Sequence, residues 1–260
     1  MPIAFFDSGL GGLNTLKVAL AKMPGRNFIY FGDTANVPYG PKSPAEVRGH
    51  MVEAVEYLKD YGLTALVIAC NTATCAAAPF LREQYPFPII GMEPAIKPAL
   101  ELAGEGRRVL LLATALTLRS ERVARLREKF DRHRQIDTLP CPELVEYAER
   151  LDFDQAAVAE ILRRKLAGHD LSRYACVVLG STHYNYFQEA IGSIFPAGLR
   201  IVDGNEGTVN HLAEMIGAGP GNPETRPEVL IHLSDDSDQP KMTAVKKMIA
   251  EVSEAPVRFI

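Results

Sequence analysis

The sequence lacks the features that mark several common classes of protein. Its 260 residues contain 28 Lys and Arg against 32 Asp and Glu, so no excess of positive charge is present to attract a nucleic-acid backbone. No apolar run reaches the ~18 residues that a membrane helix needs, and the N-terminus "MPIAFFDSGLGG" has no basic region or long apolar stretch of a secretory leader. We therefore expect a cytoplasmic protein with no nucleic-acid partner and no membrane association.

Cysteine is also scarce. Cys70, Cys75, Cys141 and Cys176 form no CxxC pair and no Cys/His cluster at zinc spacing, so no metal site is predicted. In a reducing cytosol each is expected to be a free thiol, either a small buried apolar group or a reactive one. Cys176 lies in the apolar run "ACVVL" and Cys75 inside a predicted helix, and we interpret both as core residues.

Apolar residues, by contrast, make up 47% of the chain and are arranged as strands alternating with helical patterns. The predicted strands include "IAFF", "NFIYF", "ALVIA", "PIIGM", "RRVLLLAT", "RQIDTL", "ACVVLG" and "LRIVDG", and predicted helices include 118–130 and 186–195. Strands that are unbroken apolar runs are typical of parallel sheets covered on both faces. We predict an α/β protein with two doubly wound parallel-sheet lobes.

The last part of the chain interrupts this alternation. Residues 218–229, "AGPGNPETRPEV", are rich in Gly and Pro and are predicted to form a surface connection. The strand "EVLIHLSDD" and the helical "KMTAVKKMIAEV" that follow could pack on either lobe.

Ligands of open parallel sheets bind beyond the carboxyl ends of the strands, where this sequence collects polar residues. In "FFDSGLGG", Asp7 and Ser8 precede glycines that let the backbone approach an anion at a helix N-terminus, although both side chains could simply cap that helix. In "ACNTATCAAA", Cys70 lies between a strand and a helix N-terminus, a position that lowers a thiol pKa. Cys70 is therefore a candidate base or nucleophile.

The polar residues at two further strand ends are less specific signals of function. "YFGDTANVPYG" places Asp33, Asn36 and Tyr39 in a turn of a kind that is common in ordinary loops. In "LGSTHY", His183 could be a base or a satisfied core histidine. A serine hydrolase is disfavoured because the G-x-S-x-G motif is absent around Ser181.

Taken together, these motifs resemble the glutamate racemase family of the aspartate/glutamate racemase superfamily. The matching stretches run in the family's order from Phe6 to Gly204: "FDSGLGGL", "YFGDTANVPYG", "ACNTATCAA", "GMEPAIKPA", "LLATALT", "CPELVEYAE", "LGSTHY" and "IVDG". The resemblance implies a cofactor-independent enzyme that interconverts L- and D-glutamate and supplies D-glutamate for peptidoglycan. It also implies two pseudo-symmetric lobes facing each other across an active-site cleft, formed by residues 1–93 with 209–260 and by residues 94–208.

The resemblance assigns roles by position. Cys70 matches the cysteine of the first lobe, on the side that acts on D-glutamate, and Asp7 and His183 match residues that assist proton transfer. Glu149 matches an acidic residue of the family that lies one layer outside the groups that contact the substrate. The positions that match substrate-binding residues are Ser8, Pro38, Tyr39, Gly40, Asn71, Thr72, Thr114, Thr117 and Thr182.

The sequence departs from the family at one position, because the second catalytic cysteine falls on Ser181. Racemisation needs proton transfer on both faces of a planar carbanion, and a serine hydroxyl titrates too high to act as acid and base near neutral pH. Three readings follow: a racemase whose second cysteine has been replaced, as is done to trap a substrate complex; a natural relative limited to one-sided proton exchange or decarboxylation; or a non-catalytic glutamate-binding protein. The first reading is favoured because the other residues that match the family's proton-transfer groups on both faces, His183 included, are present.

The resemblance carries further expectations. Members often form homodimers, so a homodimer is one expectation for this chain, and aspartate is the nearest competing substrate. Some members have an N-terminal extension linked to activation by a cell-wall precursor. Because this chain begins almost directly at its first predicted strand, we expect no such regulation.

Overall fold

A computed structural model describes residues 1–217 and 227–260. The strands are β1 (Ile3–Asp7), β2 (Phe28–Gly32), β3 (Ala65–Ile68), β4 (Ile89–Gly91), β5 (Arg108–Ala113), β6 (Ile136–Pro140), β7 (Tyr174–Gly180), β8 (Arg200–Val202), β9 (Val229–Leu233) and β10 (Val257–Phe259). The helices are α1 (Leu13–Lys22), α2 (Pro44–Lys59), α3 (Asn71–Gln84), α4 (Ile96–Ala103), α5 (Ala115–Arg119), α6 (Glu121–Phe130), α7 (Pro142–Glu149), α8 (Gln155–Lys165), α9 (Gln188–Ser193), α10 (Asn205–Ile216) and α11 (Gln239–Ala250). Short 3-10 segments span Leu171–Arg173 and Thr182–Phe187.

These elements form two units, each with its own parallel sheet. Unit 1 contains residues 1–93 and 205–260, and unit 2 contains residues 94–204. In unit 1 the strand order is β10-β9-β2-β1-β3-β4, and in unit 2 it is β6-β5-β7-β8. All of these pairs are parallel. The prediction of an α/β fold with two parallel sheets is confirmed.

The second boundary between the units differs from the sequence-based expectation. It lies between Gly204 and Asn205, four residues before the break expected after residue 208. Helix α10 begins at Asn205, whose side-chain oxygen accepts a 2.7 Å hydrogen bond from Thr15 of α1. This bond fixes the first turn of α10 in unit 1, so the chain changes unit before the helix and not within it.

The central strands are apolar runs because both of their faces are covered. Every residue of β1 and β2 is buried, and an apolar cluster of unit 2 includes Val109 and Leu111 of β5 and Val178 of β7. No helix among the described residues is long and apolar enough to cross a bilayer.

Two predicted helices need correction, and one strand has no counterpart among the predictions. The predicted helix 118–130 is divided at Ser120, whose extended backbone and side-chain oxygen cap α6 by accepting from the Val123 N–H. The predicted helix 186–195 begins inside the 3-10 segment, and α9 starts only at Gln188. Strand β10, three residues long, was not predicted.

The C-terminal elements belong to unit 1. Strand β9 pairs with β2 and β10 pairs with β9, so the open choice between the two lobes is resolved for these strands. Most of the predicted surface connection, residues 218–226, lies outside the described residues.

Candidate active site

In unit 1, three adjacent strands end at one edge of the sheet and carry polar side chains there. Asp7 closes β1, Asp33 follows β2, and Cys70 follows β3 after one intervening residue. The order β2-β1-β3, with Asp7 in register with Gly32 and Phe6 with Ile68, brings these strand ends side by side. The sheet itself therefore assembles a cluster that is dispersed along 64 residues of sequence.

Asp7 is fully buried within this cluster. Its Oδ1 accepts a 3.0 Å hydrogen bond from the N–H of Gly9, in the glycine-rich loop. A Cβ on Gly12 would lie 2.5 Å from the Cβ of Asp7, so the loop can close over Asp7 only with glycine at this position. The N-cap residue of α1 is Gly12, so neither Asp7 nor Ser8 occupies the N-cap position that was their alternative role.

Cys70 is the N-cap residue of α3. Its Sγ accepts the Ala73 N–H at 3.4 Å and lies 3.6 Å from Ser8 Oγ. The expectation of a lowered thiol pKa is wrong for this structure. Burial, followed by the negative charge of Asp7, raises the pKa of Cys70 to about 12, and these effects outweigh the favourable hydrogen bonds from Ala73 and Ser8.

The loop after β2 brings Tyr39 and its neighbours to the same edge. Tyr39 is buried and its Oη donates a 2.5 Å hydrogen bond to Asp33 Oδ2, whereas Pro38 is exposed and Gly40 half-buried. Burial and then the charge of Asp33 raise the pKa of Tyr39 well above its ordinary value, with smaller effects from Cys70 and Asp7. The hydroxyl of Tyr39 is therefore a proton donor, already engaged by Asp33.

Asn71 and Thr72 form the first turn of α3, next to Cys70, and both are buried. The Asn71 Nδ2 group lies 3.4 Å from Met92 Sδ. Among the described residues, no donor reaches the buried Asn71 Oδ1. A buried amide oxygen of this kind favours a ligand that carries N–H groups.

Unit 2 has a second cluster at the carboxyl edge of its own sheet. Ala113 of β5 is in register with Gly180 of β7, so Thr114 and Ser181 follow neighbouring strand ends. Thr114 caps α5, where its Oγ1 accepts from the Thr117 N–H and lies 3.0 Å from Thr117 Oγ1. Thr114, Thr117 and Ser181 are all buried.

Cys70 and Ser181 occupy similar but not identical positions in their two units. Both follow the end of a parallel strand, but Cys70 caps an α-helix, whereas Ser181 precedes a 3-10 segment and its side chain makes no capping bond. Thr182 and His183 lie in that segment and are both buried.

His183 is paired with Glu149 inside unit 2. His183 Nε2 lies 2.6 Å from Glu149 Oε1, and both side chains are almost fully removed from solvent. Glu149 is the last residue of α7, whose start is attached to the 3-10 segment by the hydrogen bond from Tyr184 Oη to the Cys141 carbonyl at 2.9 Å. Two residues 34 positions apart thus form one buried acid–imidazole pair.

Known proteins resemble this chain in both sequence and fold. Residues 14–212 match the sequence profile of the Asp/Glu/Hydantoin racemase family. A protein from Halothermothrix orenii named glutamate racemase is 43% identical over 255 residues, covering 97% of this chain and 100% of that protein. The chain belongs to the glutamate racemase family.

Solved structures of the family share the fold. The Escherichia coli glutamate racemase, solved with L-glutamate and the activator UDP-MurNAc-ala, matches with a TM-score of 0.83 at 28% identity, covering 100% of this chain and 98% of that one. The Francisella tularensis enzyme, solved with D-glutamate, matches with a TM-score of 0.82 at 26% identity, covering 100% and 97% of the two chains.

The remaining cysteines of this racemase-family chain differ in environment. Cys176 lies in the core cluster of unit 2, and Cys141 is fully buried at the start of α7. Burial raises the pKa of Cys141 to about 12 and that of Cys176 to about 11. Cys75 lies inside α3 as expected, but it is half-buried and not part of the closed core.

Two residues that are hydrogen-bonded at the edge of the unit 1 sheet carry little functional signal in the sequence. The turn that contains Asp33 predicts no specific role for this residue, and Ser234, whose Oγ donates to Asp33 Oδ1 at 2.8 Å, lies in none of the motifs. The available signal was position, since Ser234 directly follows β9 as Asp33 follows β2. Among the described residues, no group of three or more His, Cys, Asp or Glu is arranged to hold a metal ion.

Proposed function

We propose that this protein transfers the Cα proton of glutamate without a cofactor, as the catalytic scaffold of a cytoplasmic racemase that supplies D-glutamate for peptidoglycan. The family membership and the relatives solved with L- and D-glutamate support glutamate as substrate. The observation that carries the chemistry is Cys70, a buried thiol at a strand–helix junction in contact with Ser8 and near Asp7.

In this proposal Cys70 is the base for D-glutamate. Its thiolate removes the Cα proton, becomes the neutral thiol, and returns a proton to the same face or leaves the carbanion to be protonated on the other. The raised pKa of about 12 means that little thiolate exists near neutral pH until a cation approaches. The ammonium group of a bound amino acid is such a cation, since an opposite charge within ~4–6 Å favours the ionised thiol.

Substrate binding is assigned, by position in the family's motifs, to groups of each unit. Among the described residues, the main-chain N–H groups of Tyr39 and Gly40 donate no hydrogen bond, and they are the donors that we assign to a substrate carboxylate. Asn71 Oδ1 is assigned to the ammonium group. The hydroxyl side chains assigned to the substrate are those of Ser8, Thr72, Thr114, Thr117 and Thr182, and Pro38 shapes the loop.

By position in the family's motifs, proton transfer on the opposite face of Cα is assigned to residue 181. We assign to the buried pair of His183 and Glu149 the support of a proton carrier there, because His183 lies two residues beyond position 181 in the same unit. Ser181 cannot use that support as a thiol would, since its hydroxyl does not ionise near neutral pH. The chain is therefore proposed to exchange the Cα proton on one side faster than it inverts glutamate.

Solvent exchange of each enantiomer tests the proposal. In deuterium oxide, we expect the protein to replace the Cα hydrogen of D-glutamate faster than that of L-glutamate, and Ser181→Cys to raise racemisation by at least about 100-fold. NMR measures the exchange and polarimetry the inversion, with Cys70→Ala as the inactive control. Equal exchange of both enantiomers, or no gain from Ser181→Cys, would contradict the single-base scheme.

A second candidate is a glutamate-binding protein without catalysis. The raised pKa of Cys70 favours it, because a thiol that stays protonated cannot remove a proton. Such a protein would bind glutamate in calorimetry with an affinity that Cys70→Ala leaves nearly unchanged, and it would exchange neither enantiomer.

A further inference from the structure

The C-terminal part of unit 1 reaches the candidate site through the end of β9. Leu233, the last residue of that strand, is in register with Gly32 of β2, so Ser234 stands beside Asp33. The Ser234 N–H donates to the Gly32 carbonyl at 2.9 Å, which extends the pairing of the two strands past their ends. A segment 201 residues away in sequence thereby borders the loop that carries Tyr39 and Gly40.

The hydroxyl of Ser234 makes two hydrogen bonds to that loop. It donates to Asp33 Oδ1 at 2.8 Å and accepts the Ala35 N–H at 2.9 Å. Next to it, the Asp235 N–H donates to Thr34 Oγ1 at 3.0 Å. One side chain thus engages both the carboxylate and the main chain of the loop.

The Asp33 carboxylate connects Ser234 to Tyr39, because it accepts a hydrogen bond from each hydroxyl. Its Oδ2 accepts the Tyr39 hydroxyl at 2.5 Å, while its Oδ1 also accepts Asn36 Nδ2 at 2.9 Å. The Tyr39 ring packs against Phe6 and His50, with ring centroids 6.3 Å and 5.9 Å away. The ring contacts and the hydrogen bond to the Asp33 carboxylate together hold the Tyr39 side chain in place.

We propose that Ser234 is a positioning residue that holds the loop 33–40 in its substrate-binding shape, acting through Asp33 and Tyr39 and not through contact with substrate. The inference rests on the proposed function, in which the N–H groups of Tyr39 and Gly40 bind a glutamate carboxylate. Loss of the Ser234 hydroxyl leaves the Ala35 N–H without its acceptor and the Asp33 carboxylate with one donor fewer. The binding N–H groups then lose their fixed direction.

The test compares Ser234→Thr with Ser234→Val, which have the same shape and differ only in the hydroxyl. Ser237→Ala is the matched control, because Ser237 is a hydrogen-bonded serine of the same segment whose hydroxyl bonds Asp235 and not the loop. We expect Ser234→Val to raise the KM for Cα exchange of D-glutamate about tenfold with kcat within about twofold, since a lost hydrogen bond to a charged group is worth about one power of ten. Ser234→Thr and Ser237→Ala should stay within about twofold of the parent.

Two further readouts separate positioning from simple stabilisation. Hydrogen–deuterium exchange of the peptide covering 33–42 should be faster in Ser234→Val than in Ser234→Thr, and the Kd for glutamate measured by calorimetry should rise in parallel with KM. A lowered melting temperature with unchanged KM and Kd would show a structural role only and overturn the inference. If Ser234→Val does not fold, Ser234→Ala takes its place in the same comparison.

The outcomes also distinguish this inference from the proposed function. A parent protein that neither binds nor exchanges glutamate would contradict the proposed function, and the inference would fall with it. A parent that binds glutamate, together with a Ser234→Val protein that binds it equally well, would contradict the inference alone.

Discussion

Cys70 illustrates how two parts of one residue's environment oppose each other. As N-cap of α3 it accepts a main-chain N–H at the positive end of a helix, which favours thiolate. It is also only 5% exposed and near the buried Asp7, and both burial and this charge favour the thiol. Burial and the charge of Asp7 outweigh the helix terminus and raise the pKa of Cys70 to about 12. The position of Cys70 in the sequence therefore predicted the wrong direction for the shift of its pKa.

The reactivity of Cys70 should report the charge of Asp7. In a Cys75→Ala background, which removes the half-buried neighbouring thiol, we expect iodoacetamide to label Cys70 slowly at pH 8 and faster with each pH unit, without a plateau below pH 10. Asp7→Asn removes a charge that raises the pKa, so labelling at pH 8 should accelerate by roughly tenfold. Mass spectrometry measures the rate, with the exposed Asp60→Asn as control. An unchanged rate in Asp7→Asn would show that burial alone sets the pKa.

At the scale of elements, the site depends on loops that leave parallel strands and enter helices within a few residues. The first of these loops closes over Asp7 because Gly12 has no Cβ. The end of β7 has a similar constraint, since a Cβ on Gly180 would lie 2.7 Å from the Cβ of Ala113. In both units a glycine thus permits the close approach that places a polar residue at the sheet edge.

Two glycine substitutions test this dependence. Gly12→Ala places a methyl group against Asp7 and Ala69, and we expect it to lower the free energy of unfolding by about 1–3 kcal/mol and to reduce Cα exchange. Gly49→Ala, in α2 with nothing within 4 Å of the added Cβ, should instead raise stability by about 0.5–1 kcal/mol and leave exchange unchanged. Urea unfolding measures both. A Gly12→Ala protein as stable as the parent would show that the loop can open without cost.

The elements that sequence reasoning predicted well are those with a local signal. The fully buried β1 and β2 appear as uninterrupted apolar runs, and the strand ends of a parallel sheet share one edge, so Asp7 and Cys70 could be placed together. Strand β10 escaped prediction because three residues with only partial burial carry little pattern. Ser120 escaped because a serine within a helical pattern is compatible with either a helix interior or a cap.

At the scale of the whole molecule, the connections that sequence could not reveal are the long ones. The hydrogen bond between Thr15 and Asn205 spans 190 positions and assigns α10 to unit 1. The bond between Ser234 and Asp33 spans 201 positions and attaches the site to β9. Neither pair has a sequence spacing that could predict it, because both depend on the order in which strands and helices assemble.

The buried thiols predict how stability of the whole chain depends on pH. Cys70 and Cys141 have a pKa of about 12 in the folded protein against 9.0 for an unburied thiol, so between these values the unfolded chain loses protons that the folded protein keeps. This contribution to stability is therefore complete below pH 9 and is lost as pH rises toward 12, at about 1.4 kcal/mol per pH unit for each thiol. Urea unfolding between pH 9 and 10.5 should show the decline, and Cys141→Ala should make its slope shallower by about that amount per pH unit. An equal slope in the variant and the parent would mean that Cys141 ionises in the folded protein as readily as in the unfolded chain.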